Sequence, residues 1–177
     1  VNYLAEISGK PMVPATDLVE ATSHLGAFVL FSGVLRRFAI NLSKIANDLR
    51  LLSSGPRTGF GEIRLPPMQP GSSIMPGKVN PVIPEAVNQT AYQVIASDLA
   101  VTLAAEAGQL QLNAMEPLII YNLLNSMKML GSACSMLETR CIQGIEADRE
   151  RCAELMDRSI GCITALVPHI GYGNASR

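Results

Sequence analysis

The sequence feature that most constrains the fold is a seven-residue repeat of apolar residues between positions 28 and 52. Its two lines consist of Phe28, Leu35, Leu42 and Leu49, and of Phe31, Phe38, Ile45 and Leu52. Repeated spacing of this kind, with basic residues off the lines, predicts one long helix of a helical bundle. We expect both lines to pack in a core, and His24, one heptad before the second line, to be a packed histidine rather than a catalytic one.

Glycine and proline divide the chain into further helices. Ser53-Ser54-Gly55-Pro56 predicts the end of the first long helix, and Asn80-Pro81 predicts the start of a second, with Asn80 as its N-cap. Asn113 and Glu116 fit a capping box at the start of a third helix. The lines of that helix are Ile120, Met127, Cys134 and Cys141, and Leu123, Leu130, Leu137 and Gly144. With a fourth, shorter helix expected near Asp148, the pattern predicts an all-α fold built as a bundle of long helices.

Composition limits the classes of partner. Hydrophobic residues make up 48% of the chain and charged residues only 16%, which leaves too little charge to solvate the whole surface of a monomer. We therefore expect apolar faces to be covered by other subunits. The net charge of −1 offers no basic surface for nucleic acid or for an acidic membrane, and no apolar run reaches the length that spans a bilayer.

The cysteines and histidines give no sign of a metal centre or of a disulfide framework. The four cysteines are Cys134, Cys141, Cys152 and Cys162. They show no C-x-x-C spacing, and His24 and His169 lack companions at ligand spacing. We therefore expect no metal site, and we expect reduced thiols, as in a cytoplasmic protein.

Residues 71–81, with the sequence GSSIMPGKVNP, combine two hydroxyls, a cation and an amide between two glycines and two prolines. Gly71 and Gly77 permit backbone angles that other residues avoid, and they can act as hinges of this loop. Lys78 can neutralise a carboxylate and Asn80 can hydrogen-bond it, next to the predicted N-terminus of a helix. The loop therefore suits an anionic substrate.

Two other readings of the loop are weaker. A phosphate-binding loop needs G-x-x-x-x-G-K-[ST], but five residues separate Gly71 from Gly77, and Val79 stands where the hydroxyl that binds magnesium should be. A surface turn would explain the glycine, serine and proline residues, but not Lys78 and Asn80 before Pro81. A catalytic loop accounts for all of them.

Such a loop could assist the removal of a proton from the carbon next to a carboxylate. That reaction needs a base and fixed positive groups where negative charge builds up. Lys78, Asn80 and the amides of the loop can supply the positive groups. Ser72 or Ser73 could serve as the base only if its oxyanion were stabilised by backbone N–H groups, by the helix end or by Lys78.

The loop resembles the signature loop of the fumarase/aspartase superfamily. Residues 51–57, 61–63 and 65–66 are similar to the superfamily's approach to that loop, and the long helices are similar to its central bundle. The resemblance implies an elimination that yields fumarate through an aci-carboxylate intermediate. It also implies that Ser72 is the catalytic base, with Ser73 as the weaker candidate.

The resemblance assigns the other site residues and the assembly. Lys78 and Asn80 match contacts to the substrate carboxylate, with Ser73 beside them, and Glu85 matches the acid that pairs with an active-site histidine from another subunit. It further implies a small dicarboxylate or amino-acid substrate, no metal or organic cofactor, and a homotetramer with shared active sites.

Segments outside the loop narrow the reaction. Residues 104–113, 115–117, 82–85 and 88–89 are similar to the ammonia-lyases of the superfamily rather than to its fumarases. They imply the reversible elimination of ammonia from L-aspartate. A class II fumarase and a non-catalytic helical assembly module remain as alternatives.

The resemblance also implies a division of the chain. Residues 1–146 match the later part of a central helical domain, and residues 147–177 match the start of a small C-terminal helical region. The superfamily's upstream segments, which supply Thr, Ser, Asn and His groups to the substrate, have no counterpart here, and the sequence does not begin with Met. We therefore expect a piece of a longer protein that is inactive by itself.

Overall fold

The computed structural model describes residues 1–55 and 57–176 and is helical over most of that length. Its α-helices are α1 (Asn2–Ser8), α2 (Leu18–Ser23), α3 (Gly26–Leu52), α4 (Val82–Glu106), α5 (Glu116–Arg140), α6 (Arg149–Asp157), α7 (Val167–Ile170) and α8 (Tyr172–Ala175). The other described elements are two 3₁₀ helices, Ile142–Gly144 and Ile160–Leu166, and two short strands, β1 (Ile63–Arg64) and β2 (Glu146–Ala147). The predicted all-α fold of long helices is confirmed, since α3, α4 and α5 have 25 to 27 residues each.

The chain divides into two compact units, each made of two separate segments. The first comprises Val1–Ser43 and Asn88–Ala133, and the second comprises Lys44–Val87 and Cys134–Arg177. The predicted division into residues 1–146 and 147–177 concerns a larger protein and stays a prediction.

The ends of the long helices follow local chemistry. Helix α3 ends at Leu52, directly before the predicted break; Pro56, which belonged to that prediction, lies outside the described residues. Helix α6 begins after Asp148, and the Asp148 carboxylate accepts the backbone N–H of Arg151 at 3.1 Å. This contact satisfies one of the N–H groups that the first turn of a helix leaves free. The fourth helix predicted near Asp148 is confirmed.

The core of the first unit contains a cluster of apolar side chains and a buried carboxylate. Its apolar cluster contains Leu25, Val101, Ala104, Ile119 and Leu123. Asp98 is 5% exposed, and its carboxylate accepts hydrogen bonds from Ser32 Oγ and Arg36 Nη1, each at 2.7 Å. A buried charge is tolerated when it is paired and hydrogen-bonded in this way.

The heptad lines predicted to be buried are only partly so. On α3, Phe31, Phe38 and Ile45 are between 42% and 49% exposed, although their line was expected in a core. The neighbouring line of small residues, Ser32, Ala39 and Ala46, is buried instead. Small side chains let a helix approach its neighbours closely, so the large side chains beside them are left at the surface. The prediction that Phe31, Phe38 and Ile45 pack in a core was therefore wrong for this chain taken alone.

On α5, too, one predicted line is partly exposed and the line next to it is buried. Leu123, Leu130 and Leu137 are buried as predicted. Ile120 and Met127, on the other predicted line, are 42% and 39% exposed, whereas the adjacent line of Ile119, Ser126 and Ala133 is buried. At the C-terminal end of the predicted line Cys141 is buried, and burial raises the pKa of its thiol. Cys141 is therefore a small core residue, as expected.

Two residues at helix ends, His24 and Asn113, behave differently from their predicted roles. His24 precedes α3 as the exposed C-terminal cap residue of α2, so it does not belong to the long helix. Asn113 Oδ1 accepts the N–H of Met115 at 2.7 Å, but its own N–H donates to the carbonyl of Thr22 at 3.0 Å, which leaves no donor for a capping box with Glu116. Asn113 instead joins α4 to α5, because its side-chain amide also donates to the carbonyls of Ala104 and Ala105, at 2.9 and 3.1 Å.

Candidate functional site

The loop of residues 71–81 lies in the second unit and is closed at its base. Gly71 N–H donates to the carbonyl of Lys78 at 2.9 Å, and Asn80 Nδ2 donates to the carbonyl of Gly71 at 3.1 Å. Asn80 was predicted to cap α4, but α4 begins at Val82, and the carbonyl of Pro81 accepts the first helical N–H, from Glu85, at 3.1 Å. The Asn80 side chain therefore fastens the loop rather than the helix.

The two glycines are needed for different reasons. Gly77 has a φ of +78°, in the left-handed region that other residues rarely adopt. At Gly71 a Cβ atom would collide with the carbonyl group of Lys78, because the two strands of the loop base run too close together. Their predicted role as hinges of a moving loop stays a prediction.

Ser72 occupies the position of the loop that can best support negative charge. Its Oγ accepts hydrogen bonds from the backbone N–H groups of Ile74 at 3.1 Å and of Met75 at 3.3 Å. Two donors aimed at one hydroxyl oxygen favour its ionised form relative to an exposed serine. Ser73 is exposed, and its hydroxyl forms no hydrogen bond within the described part of the chain. The same two bonds would also occur in an ordinary turn that starts at a serine.

A cavity of about 790 Å³ in the second unit brings together several of the predicted site residues. Lys78, Asn80 and Glu85 line it together with Gly77. Its basic and acidic lining residues are Arg50, Arg64, Lys78 and Arg151, and Glu85 and Asp148. A cavity with more cations than carboxylates attracts an anionic ligand.

Ser72 and Gly71 do not line this cavity. They line a second, shallower one of about 410 Å³, which shares Pro67, Gly77, Lys78 and Val79 with the first. Lys78 is therefore the charged residue common to both cavities, and Ser73 lines neither. The described residues bring Lys78, Asn80 and Glu85 together and leave Ser72 beside them.

The two charged residues predicted for the site are available to a ligand. Lys78 is exposed, and its Nζ has no acceptor among the residues that the structure describes. Glu85 lies in the first turn of α4 and is half-buried, and its carboxylate has no donor among the same residues. Groups of this kind can bind a charged substrate or a side chain of another subunit without first breaking an internal contact.

Sequence reasoning missed a charged cluster in the lining of the larger cavity. Strands β1 and β2 pair antiparallel and bring Arg64 close to Asp148, so that Arg64 Nη2 contacts Asp148 Oδ2 at 2.6 Å. The pKa of Asp148 lies below its usual range because its carboxylate accepts the backbone N–H of Arg151 and also pairs with Arg64. The paired residues are 84 positions apart in the sequence, so no local pattern could have connected them.

The described residues offer neither a membrane span nor a cluster of metal ligands. No helix there combines the length and the apolar character needed to cross a membrane. No group of three or more His, Cys, Asp or Glu residues in residues 1–55 and 57–176 is placed to hold a metal ion.

Known proteins similar to this chain share both its sequence and its fold. A family model described as Lyase matches residues 1–96, which include the loop and Glu85. The aspartate ammonia-lyase of Pseudomonas aeruginosa is 67% identical over 177 residues, which is all of this chain and 37% of that protein. The chain therefore spans little more than a third of that relative.

Two solved structures are similar along nearly the whole chain. One is described as fumarate lyase:delta crystallin from Brucella melitensis in native form, with a TM-score of 0.92 and 64% identity. The match covers 99% of this chain and 41% of the Brucella melitensis chain. The other is a recombinant class II fumarase from Schistosoma mansoni, with a TM-score of 0.89 and 34% identity. The match covers 99% of this chain and 38% of the fumarase chain.

Proposed function

The chain belongs to the Lyase family, within the fumarase/aspartase superfamily, and on that premise we propose that the whole protein is an aspartate ammonia-lyase. It would convert L-aspartate reversibly to fumarate and ammonia. The observation that carries the proposal is the cavity lined by Lys78, Asn80 and Glu85, because it joins two carboxylate-binding groups to an acid within the segment that matches the family. The 67% identity to an aspartate ammonia-lyase favours aspartate over malate.

The reaction we propose begins with a proton transfer to Ser72. Its Oγ, as an oxyanion held by the N–H groups of Ile74 and Met75, takes a proton from the carbon next to the β-carboxylate of aspartate. The electron pair of the broken C–H bond moves into that carboxylate and gives an aci-carboxylate. The pair then returns to form the carbon–carbon double bond as the C–N bond breaks and ammonia leaves.

Lys78 and Asn80 have the chemistry to stabilise the aci-carboxylate. The intermediate carries one more negative charge on the carboxylate than the substrate does, so a fixed ammonium beside it contributes more in the transition state than in the ground state. Asn80 Nδ2 already donates to the carbonyl of Gly71, which leaves its second N–H for the substrate. Glu85 is proposed to orient a histidine from another subunit.

The choice between aspartate and malate can be tested directly. We expect the full-length protein to turn over L-aspartate with a kcat/KM at least about 100-fold above that for L-malate, a ratio of the size that a site built to bind one polar group can reach. Fumarate absorbance follows both reactions with one signal. Preference for malate would make the protein a class II fumarase, as the Schistosoma mansoni relative is described. If the full-length protein turned over neither substrate, the alternative of a non-catalytic helical module would remain.

We further propose that the whole protein is a cytoplasmic homotetramer whose active sites are shared between subunits, and that the elimination needs no metal or organic cofactor. The exposed face of α3 supports an assembly, because Phe31, Phe38 and Ile45 lie on one side of the helix and are each more than 40% exposed. Apolar area of this kind contributes roughly 25 cal/mol per Å² when another subunit covers it.

Self-association of this chain alone tests that part of the proposal. We expect the 177-residue chain to form oligomers as its concentration rises and to have no lyase activity. Light scattering across a dilution series measures the first, and an aspartate deamination assay the second. Phe31→Glu with Phe38→Glu should shift the dilution curve towards monomer, whereas Lys10→Glu, at an exposed position before α2, should leave it unchanged. A strictly monomeric chain at high concentration would contradict the proposed interface.

A further inference from the structure

One wall of the larger cavity belongs to the segment that leads from α3 to the loop. Gly61, Ile63, Arg64 and Leu65 of this segment line the cavity. The segment is tied at its middle by two backbone hydrogen bonds, from Glu62 N–H to the carbonyl of Leu52 at 3.0 Å and from Asp148 N–H to the carbonyl of Glu62 at 2.9 Å. Residues 59–65, which we call the wall segment, therefore form part of the cavity surface.

Arg151 of α6 binds the N-terminal end of the wall segment. Its Nε donates to the carbonyl of Phe60 at 2.9 Å, and its Nη2 donates to the carbonyl of Gly59 at 3.2 Å. Its Nη1 donates to Glu154 Oε2 at 2.7 Å, a contact that lowers the pKa of that carboxyl. The guanidinium thus uses three different nitrogen atoms for three acceptors.

The position of Arg151 sets it apart from Arg158, the residue that caps the C-terminus of α6. The Arg151 side chain is 26% exposed and lines the cavity, whereas Arg158, which also pairs with Glu154, is 73% exposed and forms no hydrogen bond with the wall segment. Surface pairs of the Arg158 kind contribute little to stability. The Arg151 contacts span 91 and 92 positions of sequence, so they fix tertiary placement rather than helix structure.

We propose that Arg151 is a positioning residue for the substrate cavity, which it serves by fixing the carbonyls of Gly59 and Phe60 and hence the wall segment, which lines the same cavity as Lys78 and Asn80. This inference rests on the proposed function, since it assumes that the cavity binds the substrate. Arg151 itself takes no part in the chemistry. Its effect is transmitted through the wall segment.

The wall segment has little freedom to find another arrangement. A Cβ at Gly59 would collide with the carbonyl of Ser54, so the backbone already lies against the chain that leaves α3. A lysine at position 151 has one nitrogen in place of the separate Nε and Nη2 donors of the guanidinium, so it cannot keep both contacts in their present geometry. The wall segment would then be held less firmly. Misplacement of a site by about 1 Å can cost on the order of 100-fold in rate.

The test uses Arg151→Lys in the full-length protein, with kcat and KM measured on aspartate and the melting temperature measured beside them. We expect kcat/KM to fall about 10- to 100-fold, through a higher KM together with a lower kcat, while helical content is kept. Binding of succinate, an unreactive dicarboxylate, should weaken about tenfold in a calorimetric titration. A purely structural role would lower the melting temperature and leave both constants of the folded enzyme within twofold of the wild type, and that result would overturn the inference.

Two variants, one in α6 and one at its C-terminal cap, serve as controls. Arg158→Gln removes a pair to Glu154 and should leave kcat, KM and succinate binding unchanged. Glu154→Gln removes the negative charge beside Nη1 but keeps both carbonyl contacts of Arg151, so the loss in kcat/KM should stay below about fivefold. A Glu154→Gln loss as large as that of Arg151→Lys would assign the effect to the ion pair and overturn the role of the carbonyls. Loss of helical content in Arg151→Lys would assign Arg151 to fold stability instead, which also overturns it.

The outcome separates this inference from the proposed function. If the wild type prefers malate, the proposed substrate is wrong, and the same variants are compared on malate. If the wild type is active and Arg151→Lys matches it, only the positioning role fails. If the wild type neither turns over aspartate or malate nor binds succinate, the cavity is not a dicarboxylate site, and both conclusions fall.

Discussion

Ser72→Ala in the full-length protein should lower kcat for L-aspartate by about three powers of ten, which corresponds to roughly 4 kcal/mol of transition-state stabilisation. The substitution removes the proposed base without changing any residue of the helix cores. Among the residues that the structure describes, its hydroxyl accepts only the N–H groups of Ile74 and Met75, both within the same loop. Circular dichroism should therefore show an unchanged helical content, and single-turnover kinetics should place the loss in the proton-transfer step.

Ser73→Ala is the matched control for this prediction. Ser73 has the same chemistry one position away, but it is exposed and lines neither cavity. We expect its kcat to stay within about fivefold of the wild type, since surface substitutions away from a site have small effects. A larger loss from Ser73→Ala than from Ser72→Ala would show that the wrong hydroxyl was chosen. Near-normal turnover by Ser72→Ala would remove the serine base from the mechanism.

The helices could be predicted from the sequence, but only part of the face that each one buries could be. Heptad spacing located α3 and α5 because it depends only on the period of a helix. It also favoured Phe31 and Phe38 as core residues, since large apolar side chains gain most from burial. The chain instead buries Ser32 and Ala39, whose size matters only once a second helix is close. Close packing is a property of the pair of helices, so one helix sequence does not contain it.

The loop shows a similar division between local and tertiary information. Its glycines, Lys78 and Asn80 were identified from local chemistry, and the structure gives Gly71 and Gly77 the tight backbone that such residues permit. Arg64 and Arg151 were missed because each becomes part of the cavity through contacts more than 80 positions away in the sequence. Asn80 was assigned to the wrong partner for a different reason, since its contact with Gly71 lies within the loop. Capping of α4 and closure of the loop need the same side chain, and the backbone decides between them.

Lys78→Ala should reduce kcat/KM for L-aspartate by about 100- to 1,000-fold, with a lower kcat and a higher KM together. The Lys78 ammonium lines both cavities and has no acceptor among the described residues, so its charge is available to the substrate and to the aci-carboxylate. A cation that meets extra charge in the transition state must affect the chemical step as well as binding. Asn80→Ala should act in the same direction but less severely, and its effect includes loss of the bond that closes the loop.

The separate effects of Lys78→Ala on kcat and on KM show whether the lysine stabilises the transition state or only binds the substrate. Lys78→Arg keeps the charge while changing its shape, so it should recover part of kcat if charge stabilisation is the main contribution. Lys44→Ala, which removes an exposed lysine that pairs with Asp48 on α3 and lines neither cavity, should leave both constants unchanged. A rise in KM with kcat intact in Lys78→Ala would mean that the lysine binds substrate and transition state equally. In that case the extra charge of the intermediate would have to be stabilised by the N–H groups of the loop and by residues of other subunits, and Lys78 would serve affinity alone.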